Sequence, residues 1–176
     1  MITQIGIAAG KIFNLLDKNN GVIPFGGIHS AVNEPRDFVL MSLGELLHNG
    51  HVYIMEDPLR AVNRDNFHKK AYNSEACLFD LVVKTGAGPS TGKRLKEMAI
   101  HLSIVADKIV TLLEACGDLL ALGAIEGKMN EHRDVILMAL GWLIREGYVR
   151  AVTGSNEIFI FRLPKNASDL KVYAHS

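Results

Sequence analysis

The stretch Lys84-Thr85-Gly86-Ala87-Gly88-Pro89-Ser90-Thr91-Gly92-Lys93-Arg94 has the composition of a phosphate-binding loop. A nucleotide-cradling loop needs a glycine, four residues, then Gly-Lys-Ser/Thr, because backbone amides, an ammonium and a hydroxyl must converge on one phosphate chain. Here the first glycine position is Ala87 and the hydroxyl position is Arg94, so the pattern fails twice. The stretch reads instead as a Gly/Pro/Ser/Thr connector, with Ser90 or Thr91 capping the next helix. Seven histidines (29, 48, 51, 68, 101, 132 and 175) are scattered; His48 and His51 are three apart but straddle Gly50 at a helix end, and no acid or cysteine is placed to complete a ligand set, so no metal site is expected. Cys77 and Cys116 lie far apart and form no CxxC pair, which argues against a zinc site or a disulfide framework. No nucleophile elbow, Cys/His pair or carboxylate pair stands out, so the chain is expected to be non-catalytic and to need no cofactor.

Bases and acids both number 19, giving no net charge, which excludes a chain-wide basic coat for nucleic acid. Local asymmetry survives. Between 60 and 96, eight bases (Arg60, Arg64, Lys69, Lys70, Lys84, Lys93, Arg94, Lys96) face three acids (Asp65, Glu75, Asp80), a local charge of 8 − 3 = +5. A basic loop of this kind can grip phosphates, with His68 and Tyr72 adding polar or stacking contacts; a solvated polar loop is the equal alternative. No apolar run approaches the ~20 residues of a membrane helix, and the start lacks a secretory pattern, so a cytoplasmic protein with no membrane partner is expected.

The elements that must position these residues follow from an internal repeat. Residues 5–53 align with 102–150 at a shift of 97 without a gap, and nineteen of the 49 positions are identical. They include Lys11/Lys108, Gly26/Gly123, Glu34/Glu131, Arg36/Arg133, Asp37/Asp134, Met41/Met138, Gly44/Gly141 and Gly50/Gly147. Repeats at fixed spacing signal duplicated structural units. Helical apolar spacing predicts a first helix over 5–17 and 102–116. A brief strand (22–25, 119–122) and a short helix (26–32, 123–129) follow. A longer helix (35–48, 132–146) is expected to have Asn33 or Asn130 as N-cap and Gly50 or Gly147 as stop. Alternation predicts strands at 51–56 and 148–153, with partners at 76–84 and 157–163.

Helix, strand, helix, helix, strand, strand is the winged helix-turn-helix order. The pattern AGKI…LL…G…LGxLxxxGxV resembles a family of small bacterial winged helix-turn-helix domains of unknown function, over about 50 residues of each half. The resemblance implies an α+β, mostly helical fold of tandem winged helix-turn-helix domains. The expected division is domain 1 over 1–84 with a long basic wing loop (57–75), a linker over 85–93, domain 2 over 94–164, and a C-terminal tail over 165–176.

The resemblance also implies a DNA-binding regulator. The third helix of each copy would enter a major groove, and Arg36, Arg133, Arg60, Arg64, Lys69, Lys70, Lys93, Arg94 and Lys96 are the candidate contacts to double-stranded DNA. Acids nearly cancel bases on those helices, so an Arg–Asp salt bridge competes with phosphate contact. The alternative is a protein-interaction module without DNA binding, since fold does not fix function. In that case the lone Trp142, standing where the first copy has Glu45, is the candidate partner contact, against a bland role in core packing. The two copies could pack on each other as a pseudo-dimer.

Overall fold

A computed structural model of the chain describes residues 1–56, 81–86, 93–155 and 157–163, with backbone alone at Glu56 and 93–97. The wing loop 57–75 and the tail 165–176 fall outside the described residues, as does most of the 85–93 linker.

The described chain is α+β, with six helices and two antiparallel three-stranded sheets. The first half contains α1 (Ile2–Lys18), β1 (Val22–Pro24), α2 (Phe25–Val32), α3 (Arg36–His48), β2 (Val52–Glu56) and β3 (Leu81–Thr85). The second contains α4 (Lys93–Ala115), β4 (Leu119–Ala121), α5 (Leu122–Lys128), α6 (Arg133–Arg145), β5 (Val149–Thr153) and β6 (Ile158–Arg162), in the same order. The sheet orders match too, β1-β3-β2 and β4-β6-β5. Their inner rows are equivalent: Ile23, Val83 and Ile54 lie in register in one sheet, Leu120, Ile160 and Ala151 in the other.

Apolar periodicity explains the helices. Ile5, Ala8, Ala9, Ile12 and Leu16 bury one face of α1, and Leu102, Val105, Ala106, Ile109 and Leu113 do the same for α4. The glycine stops work as expected. Gly50 and Gly147 take φ of +67° and +74°, a conformation that costs other residues but not glycine. After each, the chain closes the helix end: Gly50 N–H bonds Leu47 O and His51 N–H bonds Leu46 O, and Gly147 and Tyr148 repeat this on Ile144 and Leu143.

Three boundaries differ from the sequence expectation. The first helix of the second half begins at Lys93 rather than 102, so Lys93, Arg94 and Lys96 belong to a helix. Asn33 does not cap α3; it adopts φ 52°, ψ 47° and ends α2, and Pro35 is the N-cap. Asparagine tolerates the left-handed region through local hydrogen bonding, which suits it to a helix end as well as a helix start. In the second half the N-cap is His132, whose Nδ1 accepts the Asp134 amide at 3.2 Å, and not Asn130.

The glutamates that follow those asparagines have a different use. Lys11 bonds Glu34, and Lys108 bonds Glu131 at 2.8 Å, so in each half the first helix is tied to the chain entering the third. Ser42, fully buried, presents its hydroxyl to the carbonyls of Ile5 (2.6 Å) and Phe38 (2.7 Å). The equivalent residue Ala139 manages without a hydroxyl. Ser42→Ala is therefore expected to cost only about 1 kcal/mol, measurable as a small fall in the denaturant midpoint.

The buried apolar residues form one cluster running through both halves. Its centre is the contact of α3 with α6, the most extensive pairing between helices.

Candidate functional site: the junction of α3 and α6

In α3, Val39 through Gly44 and Leu46 are buried. In α6, Asp134 through Gly141, Leu143 and Ile144 are buried. The sequence puts a glycine in the same place in both helices, and the two helices cross there. A Cβ built on Gly44 would sit 1.8 Å from Met138 O, and one on Gly141 would sit 1.8 Å from Met41 O. Only the absence of a side chain lets the two backbones approach this closely.

Both contacts obey one rule: each residue of α3 meets the counterpart of its partner, as across a two-fold axis. The charged residues follow the same rule. Arg36 bonds Asp134, and Arg133 bonds Asp37 through two parallel N–H···O contacts of 2.6 and 2.9 Å. Asp134 is only 3% exposed, so Arg36 supplies the charge that its carboxylate would otherwise lack. Arg133 lies closer to solvent and has a second acid, Glu126, whose Oε1 is 2.8 Å from its Nε as a charge contact without hydrogen-bond alignment. The hydrogen bond from Arg133 to Asp37, then the charges of Asp37 and Glu126, hold the guanidinium pKa above its usual value against the opposing effect of burial.

The two-fold rule holds in position but not in chemistry at the far end. Glu45 and His48 of α3 correspond to Trp142 and Arg145 of α6. His48 stacks on Trp142, with centroids 4.8 Å apart and an interplanar angle of 21°. The equivalent pair is ionic, Arg145 to Glu45 at 3.6 Å. His48 Nε2 also lies 2.7 Å from Glu146 Oε1.

These positions decide where the candidate residues fall. Arg36 and Arg133 are brought together, but facing carboxylates of the opposite half. Trp142 is half-buried against the first half of its own chain. The anticipated salt bridge between the adjacent Arg and Asp of one helix start is instead exchanged between the two helices. Adjacent Arg and Asp side chains on one helix do not face each other, whereas a second helix lying alongside with its N-terminus at the same end presents its Asp to each Arg. Arg60, Arg64, Lys69 and Lys70 lie outside the described residues. Lys93, Arg94 and Lys96 sit on the first turn of α4, described in backbone only.

Sequence reasoning missed the partnership of the halves at residue level, though a signal existed. Arg-Asp, Leu-Met and Leu-Gly are kept identical at matched positions of both copies, and a self-complementary contact requires such matching. A cleft of about 380 Å³ opens beside the junction, between Asp37 and Arg133, Leu122, Gly123 and Glu126 of α5, and the turn residues Thr153–Ser155, Glu157 and Ile158. Among the described residues, no three His, Cys, Asp or Glu side chains are placed to hold a metal ion, and no helix is long and apolar enough to cross a membrane. No protein-family model, no curated protein and no solved structure matches the chain.

Proposed function

We propose that the chain is a non-catalytic pair of winged helix-turn-helix modules fused as an internal pseudo-dimer, and that it works as a protein-interaction module and not by inserting its third helices into DNA. The observation that carries this reading is the burial of α3 and α6 in one another. A recognition helix must lay a polar face in the major groove and aim several Lys, Arg, Asn or Gln side chains at base edges and phosphates. On α6, ten of thirteen residues are buried. The two arginines nearest the helix starts are neutralised by Asp134, Asp37 and Glu126.

The element order and the β1-β3-β2 and β4-β6-β5 sheets support the winged-helix assignment. The displaced reading, DNA binding, retains one foothold, the +5 charge of residues 60–96. A gel-shift assay on random duplex DNA at 50 and 200 mM salt separates the two. A protein held to DNA by six or more phosphate contacts loses about 10³-fold or more in affinity over that range. We expect no retarded species at either salt concentration. Retardation at low salt that vanishes at high salt would establish phosphate binding and overturn the interaction-module reading.

A further inference from the structure

Of the nine large apolar side chains exposed among the described residues, three lie on the second sheet, Leu119 at 43%, Val152 at 41% and Phe161 at 36%, and Tyr148 at 37% immediately precedes β5. Strand geometry puts them together. Val149, Ala151 and Ile160 point into the core, so Arg150, Val152, Phe159 and Phe161 point out. The register then sets Leu119, Phe161 and Arg150 in one outward row and Ala121, Phe159 and Val152 in the next. Arg150 is the only charged side chain in these two rows, and it is exposed. An apolar patch with one cation is suited to an apolar ligand carrying a carboxylate.

The backbone adds a second feature. β5 is an edge strand of the sheet. Leu163 N–H bonds Tyr148 O, so Tyr148, Arg150 and Val152 direct their N–H and C=O groups at β6. Val149, Ala151 and Thr153 direct theirs outward. None of the three is bonded to backbone outside its own sheet among the described residues. The equivalent edge strand in the first half, β2, is packed by α4. β5 has no comparable cover among the described residues. An open edge beside an apolar face is a template for strand addition.

From these features we infer that β5 is the docking edge for an extended segment of a partner protein that carries an acidic and an apolar residue two positions apart, on one face of its strand. The segment pairs its backbone with Val149, Ala151 and Thr153, sets an acidic side chain beside Arg150, and sets an apolar one beside Val152. This inference rests on the interaction-module reading and names the partner chemistry and the surface.

The test uses the full chain and two capped synthetic octapeptides with threonine at every odd position; at the even positions, which share one face, valine alternates with glutamate in one peptide and with lysine in the other. Backbone amide exchange and chemical shifts are followed residue by residue. We expect slower exchange at Val149, Ala151 and Thr153 with the glutamate peptide, and about fivefold weaker binding of the lysine peptide, the scale of one exposed charge pair. Arg150→Glu, on an exposed position that leaves the core intact, should reverse that preference. Phe161→Ser should weaken both peptides. Protection by neither peptide at millimolar concentration, equal binding of both, or protection confined to another strand would overturn the inference. So would protection at β5 that grows with protein concentration alone, which is pairing with a second copy, or shifts at β5 produced by duplex DNA. Failure with the peptides alone, without salt-sensitive DNA binding, removes the β5 site and leaves the interaction-module reading standing.

Discussion

Gly44→Ala and Gly141→Ala are each expected to lower the stability of the protein by at least about 3 kcal/mol, toward the upper end for overpacked core positions. The cause is geometric. A Cβ at either site would lie 1.8 Å from a backbone carbonyl oxygen of the opposing helix. A side-chain obstruction can rotate away, but a carbonyl can yield only if the whole helix moves. Such a shift would drag Met41 or Met138, both fully buried, and the Arg–Asp pairs with it. At a chain length of 176 residues the loss corresponds to a fall of roughly 6–12 °C in the thermal midpoint. Gly10→Ala is the control. Gly10 lies within α1 and a Cβ there meets nothing within 4 Å. That substitution should raise stability by about 0.5–1 kcal/mol, because alanine is the better helix former. Thermal and denaturant unfolding of the three variants settles the matter, and a Gly44→Ala protein as stable as the parent would refute the close helix crossing.

The second large effect lies at the buried carboxylate. Arg36→Ala should cost on the order of 3 kcal/mol, because it leaves the 3%-exposed Asp134 without a counter-charge. Its counterpart Arg133→Ala should cost only about 1 kcal/mol, since the orphaned Asp37 and Glu126 are 24% and 27% exposed and can be hydrated. Replacing both members, Arg36→Ala with Asp134→Ala, should recover much of the first loss, because the penalty comes from an uncompensated charge more than from a lost attraction. Equal costs for the two arginines would show that the two Arg–Asp pairs are electrostatically alike, contrary to the exposure of Asp134 and Asp37. A double-mutant cycle on Arg36 and Asp134 supplies the coupling energy directly.

Both predictions concern the same surface, and both bear on function. The two helices cross at backbone contact, and each exchanges an Arg–Asp pair with the other. Among the described residues the outward surface includes β5 and its apolar face.

The sequence by itself determined the repeat and the local elements. The shift of 97 located equivalent helices, because identity was retained where side chains are buried or glycine is required: Ile12 and Ile109, Leu16 and Leu113, Gly50 and Gly147. Period 3.6 and period 2 patterns are local properties of a chain, and so are glycine stops. Caps were legible only in part: Asn33 can serve a helix start or a left-handed helix end, and which it does depends on where the preceding helix stops.

Tertiary structure alone decided who faces whom. Composition cannot distinguish an Arg-Asp pair aimed at phosphate from one exchanged with a second copy of itself, because both need the same residues at the same helix end. Nor does periodicity say whether an all-round apolar helix such as α6 meets its own half or another. That choice depends on the long-range approach of α3 to α6, permitted by two glycines nearly a hundred residues apart, and a contact across such a separation leaves no local pattern to read.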